Sequence, residues 1–155
     1  MSFLAHPPMA LLLTLAIAAP SAVRAQIEEG RVPLKTAVSE LHTFRAAYAD
    51  AYNTKNVAAL AAMYDADATI LLAKGTVVVG QEAIKHFFTQ EAPKFPHLVI
   101  TSDTMRVFGN TAIDQGTGTY HPAAGATIVE RYLVVLRRGM KDWKILRLAA
   151  VTVSK

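Results

Sequence analysis

Between Val38 and Tyr52 the apolar and aromatic residues recur every three or four positions, at Val38, Leu41, Phe44, Ala47, Tyr48, Ala51 and Tyr52. That is the period of one face of an α-helix. Pro33 and Thr36 supply start signals, so the spacing predicts one long amphipathic helix that ends at the polar break Asn53-Thr54-Lys55-Asn56. Asn56 can cap a second, short helix carrying Leu60, Met63 and Tyr64 on one face. The β-rich runs Thr69 to Leu72 and Val77 to Val79, separated by Lys74-Gly75, predict a small hairpin. Gly80 then opens a third helix from Gln81 to about Gln90, with Ala83, Ile84, Phe87 and Phe88 on its apolar face and Pro93 and Pro96 beyond it. The rest of the chain reads as four strands: Leu98 to Phe108, Thr111 to Tyr120, Thr127 to Leu136 and Trp143 to Val153. Gly109-Asn110 and the Gly139 segment are turn sequences between them. The order α-α-β-β-α-β-β-β-β predicts an α+β domain with its helices on one face of the sheet. A twisted antiparallel sheet with a long helix laid across it encloses a hollow, the default place for a ligand.

The segment before this pattern has a different character. Met9 to Ala19 is an apolar run too short to span a bilayer, and it leads into Pro20 and the small residues around Val23 and Ala25. We read residues 1–25 as a signal peptide cleaved before Gln26, residues 26–35 as a flexible lead-in and residues 36–155 as the folded domain. An uncleaved anchor and a true start at Met9 are the alternatives. The expected location is periplasmic or secreted, with no stable membrane anchor after cleavage.

Composition narrows the chemistry. A chain of 155 residues that is 52% hydrophobic and 18% charged suits one globular domain. Without cysteine there is no disulfide framework, thiol nucleophile or thiolate metal site. No serine-hydrolase elbow, phosphate loop or dinucleotide-binding glycine turn occurs. No two histidines stand four apart, so neither metal nor cofactor is expected. Removing Arg24 from the 16 basic residues, against 12 acidic ones, leaves a net charge of +3. The basic stretch Arg137-Arg138, Lys141, Lys144, Arg147 reads as a solvated hairpin, and no nucleic-acid partner is expected.

Three segments, FRAAYADAYNTKNVAALAAMYDADATILL from Phe44, VVVGQEAIKHFF from Val77 and ERYLVVLRR from Glu130, together with Trp143-Lys144-Ile145, resemble the NTF2-like superfamily. Within it, the chain is similar to the SnoaL-like and ketosteroid-isomerase-like domains. The resemblance covers Val38 to Ala149 and implies a cone in which three helices pack on a curved, mainly antiparallel sheet. It also implies a homodimer paired through the sheet. The isomerase branch uses a phenol, a carboxylate base and a protonated acid. The phenol falls on Tyr48, but the two acids fall near Leu72 and Leu133, where this chain is aliphatic. Steroid isomerisation by that route is therefore not expected.

Tyr48, His121 and Glu130 are the candidate catalytic residues. Imidazole suits general-base work near neutral pH, and a charged residue in an apolar strand is costly unless it is paired or faces a cavity. Tyr48, Tyr52, Tyr64, Gln115, Thr117, Arg131 and Arg147 are the candidate ligand-binding residues. Strand alternation sets Gln115, Thr117 and His121 on one face and separates Glu130 from Arg131, but which face lies inward is left open, because a single bulge reverses it. The leading expectation is an exported domain that binds a small hydrophobic or aromatic molecule between helix one and the sheet. A cofactor-free isomerase, dehydratase or cyclase and a non-catalytic dimerisation module are the alternatives.

Overall fold

The computed structural model describes residues 33–122 and 124–153. The proposed signal peptide and most of the lead-in, residues 26–32, lie outside the described residues. Three helices, α1 (Leu34–Asn53), α2 (Val57–Ala62) and α3 (Gln81–Glu91), pack with one six-stranded mixed sheet. Its strands are β1 (Tyr64–Leu71), β2 (Val77–Val79), β3 (His97–Phe108), β4 (Thr111–His121), β5 (Ile128–Arg138) and β6 (Trp143–Thr152). They lie in the order β2-β1-β6-β5-β4-β3. All neighbours run antiparallel except β1 and β6, which are parallel. The α+β class, the three helices and the mainly antiparallel sheet are as the sequence predicts.

α1 buries Ala37, Leu41, Ala51 and Tyr52, the apolar stripe of the sequence. It ends where the Thr54 hydroxyl donates to the Asp50 carbonyl at 2.8 Å and Lys55 turns to a φ of 60°. The Asn56 side chain then accepts the Ala59 amide at 3.1 Å and caps α2. α2 is shorter than expected. Tyr64 does not continue its face but begins β1, and the Ile145 amide donates to the Met63 carbonyl as β1 docks beside β6. Residues 64–68, Tyr-Asp-Ala-Asp-Ala, carry no β-branched side chain, and the pairing of β1 with β6 that begins at Tyr64 and resumes at Thr69 carries the strand through them.

Three polar ties hold α1 across the sheet. Near its start, the Glu40 carboxylate accepts from Arg138 Nε at 2.8 Å and Nη2 at 2.9 Å, and from the buried Trp143 Nε1 at 2.8 Å. Halfway along, Arg45 reaches Asp114 on β4. At its end, Asn53 behaves like one more backbone unit: its amide donates to the Leu98 carbonyl at 3.0 Å and its oxygen accepts the Leu98 amide at 2.7 Å.

Two register shifts decide which side chains face the helices. β3 bulges between Ser102 and Thr104, so that Leu98, Ile100 and Ser102 point inward before the bulge and Met105 and Val107 after it. β6 slips between Trp143–Ile145 and Arg147–Thr152. β4 passes under the helices with small residues, Ala112, Gly116 and Gly118. Gly116 has no room to spare: a Cβ there would collide with the Thr101 carbonyl and come within 2.7 Å of the Tyr132 hydroxyl. Because both obstacles belong to neighbouring strands, we expect Gly116→Ala to destabilise the domain by at least about 2 kcal/mol, read as a lower midpoint in urea denaturation.

Candidate functional site

The inward face of the sheet is read off β4 and β5. Ala112, Asp114, Gly116 and Gly118 are the buried set of β4, and Glu130, Tyr132, Val134 and Leu136 are the matching inward set of β5. Two adjoining cavities lie between this face and the helices. One, of about 80 Å³, extends from Leu41 and Arg45 to Ile145. The other, of about 360 Å³, is walled by β1, α3 and the aromatic rings of Tyr52, Phe87, Phe88 and Phe95. Tyr48, Tyr120, Glu130, Leu148 and Ala150 line both, so the two meet at those side chains.

At the inner end of the smaller cavity stands Asp114, only 5% exposed and the one buried charged residue among the described residues. Its Oδ2 accepts from Arg45 Nη2 at 2.9 Å, Arg45 Nε at 3.2 Å and the Tyr132 hydroxyl at 3.2 Å, while Ser102 donates to Oδ1. A buried carboxylate held by a guanidinium and two hydroxyls has its charge neutralised and its lone pairs filled. Burial, followed by the Asp114 charge, pushes the Tyr132 hydroxyl up to about 12. This network is structural in what it offers a ligand: its polar atoms already have partners.

The junction of the cavities is different. Tyr48 and Tyr64 share a hydrogen bond between their hydroxyls at 2.8 Å. Burial lifts both phenols, and Tyr52 and Tyr120 with them, above the ordinary range, so all four are neutral O–H groups at physiological pH. Glu130 is half-buried beside them. Loss of water raises its carboxyl above the usual carboxylate value, partly offset by the hydroxyls of Thr152 and Tyr120. Among the described residues, no basic side chain forms a salt bridge with it.

The structure thus brings Tyr48, Tyr52, Tyr64 and Glu130 to one place. It does not bring the others there. His121 is exposed at the end of β4, stacked near His97 with ring centroids 5.7 Å apart and with Thr127 Oγ1 at 3.4 Å. Gln115 and Thr117 lie on the sheet face away from the helices, and so does Arg131, which donates to Thr117 Oγ1 at 2.7 Å and pairs with Asp103 on the β3 bulge. Arg147 is exposed and donates to the Asp67 and Leu146 carbonyls. Strand parity accounts for all of these, since each is odd-numbered where the inward set of β4, of β5 and of β6 beyond its register slip is even. Sequence reasoning overlooked Asp114, Tyr120 and Tyr132. An acid alternating with Ala112, Gly116 and Gly118 was the available signal, because small residues on one strand face mark where a helix side chain comes close. Among the described residues, no three His, Asp or Glu side chains converge as metal ligands would.

Comparison with known proteins places residues 44–148 in the SnoaL-like domain family, and the chain belongs to it. No curated protein matches the chain. Among solved structures, it superposes on a ketosteroid isomerase-like protein from Erwinia carotovora atroseptica with a TM-score of 0.64 at 16% identity, covering 76% of this chain and 96% of that one. An NTF-2-like protein of Shewanella oneidensis gives a TM-score of 0.67 at 12% identity over 74% and 98% of the two chains. An NTF2-like protein with a cystatin-like fold from Novosphingobium aromaticivorans gives 0.66 at 16% identity over 90% and 92%. At these identities the likeness is one of fold, the NTF2-like cone, and the chemistry must come from this chain's own residues.

The Glu130 carboxyl gives a direct check. Its folded value lies above its unfolded one, so the native state binds the extra proton in the interval between them, and stability falls as pH rises through that interval. Glu130→Gln removes the cost of ionisation. We expect this variant to melt at a higher temperature than the parent at pH 7 and to lose that advantage below about pH 4, as measured by calorimetric scans at the two pH values.

Proposed function

We propose that this SnoaL-like domain binds a small hydrophobic or aromatic molecule in the two-lobed cavity between α1 and the sheet. The observation that carries the reading is the junction at Tyr48, Tyr120 and Glu130. There, apolar walls surround a few polar groups, and the one nearby charge pair, Arg45 with Asp114, is already satisfied. A mostly apolar chamber with sparse, convergent polar groups is the usual form of a small-molecule site. In the same reading the protein is exported, cleaved before Gln26, and paired as a homodimer. Export is supported by the apolar run Met9 to Ala19 and the small residues after it. Pairing is supported by Val99, Leu133 and Val151, which are exposed on the sheet face away from the helices.

One native mass spectrum of the protein recovered from the periplasm or medium tests the three parts together. It should show a chain beginning at Gln26, twice the chain mass, and an added small organic mass. Ala150 is buried in the wall common to both lobes, so Ala150→Leu should fill the junction and lose the added mass while retaining the parent circular dichroism. An unchanged ligand load in a folded Ala150→Leu protein overturns the cavity as the binding site.

A second reading, cofactor-free proton transfer, is favoured by one observation: Glu130, a carboxyl whose affinity for a proton burial increases, stands at the junction with the Tyr120 hydroxyl beside it. Here Glu130 removes a proton from carbon and a phenol donates to the developing oxyanion. This predicts incorporation of deuterium from heavy water into the bound compound by the parent protein and at least about a hundredfold slower incorporation by Glu130→Gln.

A further inference from the structure

We propose that the cavity takes a small lipophilic organic cation, a quaternary or protonated amine carrying an aromatic or branched alkyl group, with its charged head at Glu130 among the tyrosine rings. The inference rests on the small-molecule reading and names the class of ligand. Its starting point is charge accounting along the cavity walls. The charged lining residues are Arg45, Asp114, Glu91 and Glu130. Arg45 and Asp114 neutralise one another, and Glu91 is held by Lys94 at 2.7 Å. Glu130 remains, an acid without a basic partner among the described residues, at the point where both lobes open.

The second observation is the aromatic surround. Tyr120 lies edge-on to Tyr52 with centroids 5.8 Å apart and to Phe95 at 6.0 Å, and Tyr52 lies edge-on to Phe88 at 6.2 Å. Rings crossed at these angles do not stack into a slab; one face of Tyr52 is already taken by Lys55 Nζ at 5.0 Å from the centroid, which leaves Tyr120, Phe88 and Phe95 to surround a ligand. The electron-rich faces of such rings attract a cation, more strongly where water is excluded. A carboxylate with aromatic faces about it satisfies an ammonium on all sides without requiring hydrogen bonds from its methyl groups. An anionic ligand would meet Glu130 with no free basic group to offset it. A neutral ligand would leave the carboxylate with nothing to offset its burial.

The probe pair is 4-hydroxyphenyltrimethylammonium and 4-tert-butylphenol, which share a shape and differ in charge. Titrations of the full folded protein are followed by calorimetry. The ammonium should bind at least about tenfold more tightly than the neutral compound. Glu130→Gln, its fold checked by thermal melting, should abolish that preference and weaken binding of the ammonium by at least about tenfold. If 4-tert-butylphenol binds as well as the ammonium, or if the preference survives in Glu130→Gln, the cation assignment is overturned and the small-molecule cavity stands. If neither probe binds the parent protein and Ala150→Leu still carries its co-purified mass, the cavity reading falls together with the inference.

Discussion

The buried ion pair between Arg45 and Asp114 is the constraint on which the interior of this domain depends. A helix twenty residues long crosses a sheet whose fourth strand presents Ala112, Gly116 and Gly118 on either side of Asp114. Apolar contact alone would draw the two together until the space closed. Instead, a guanidinium of fixed length spans from α1 to β4 and is met there by a carboxylate that Ser102 and Tyr132 also address. Removing Arg45 would leave the Asp114 charge buried and uncompensated, a cost of about 3 to 5 kcal/mol, so the contact between α1 and β4 is kept. The Glu40 and Asn53 ties fix the helix at its two ends. The two cavities lie between the sheet and the helix so tied.

The same constraint explains the division of polar labour inside. The network around Asp114 consumes Arg45, the one arginine lining the cavities among the described residues, and the ionisable groups that remain there are phenolic and carboxylic. The catalytic acids expected of the isomerase branch are absent from their positions, Leu72 and Leu133, yet an acid reaches the cavity from Glu130, three residues before Leu133 on the same strand. Leu133 itself lies on the opposite face of β5 and is 40% exposed. An interior of this kind can be redecorated from several strand positions while the backbone stays the same.

Much of the fold was legible because periodicity carries it. The apolar stripe of α1, the Asn56 cap and the long C-terminal strands are local patterns, and they stand within a residue or two of where the spacing puts them. What was not legible depends on distant partners. The strand character of residues 64–68 is carried by the pairing of β1 with β6, and the inward parity of β4 depends on where α1 lies. Parity is an all-or-nothing property that the sequence left open: Gln115, Thr117, His121 and Arg131 fall together on the face away from the helices, and Glu130 on the inward one. Asp114 escaped notice because one acid among small residues in sequence looks like a surface strand.

The parallel pairing of β1 with β6 carries a consequence for how the molecule comes into being. The last strand made lies in the middle of the sheet, between the first and the fifth. Until it joins, β1 and β2 are not tied to the β3-β4-β5 meander on which α1 rests, and β5 lacks one of its two neighbours. Contacts so distant along the chain make for slow, late folding. A core continuous across the whole sheet therefore closes only once β6 has paired on both of its sides.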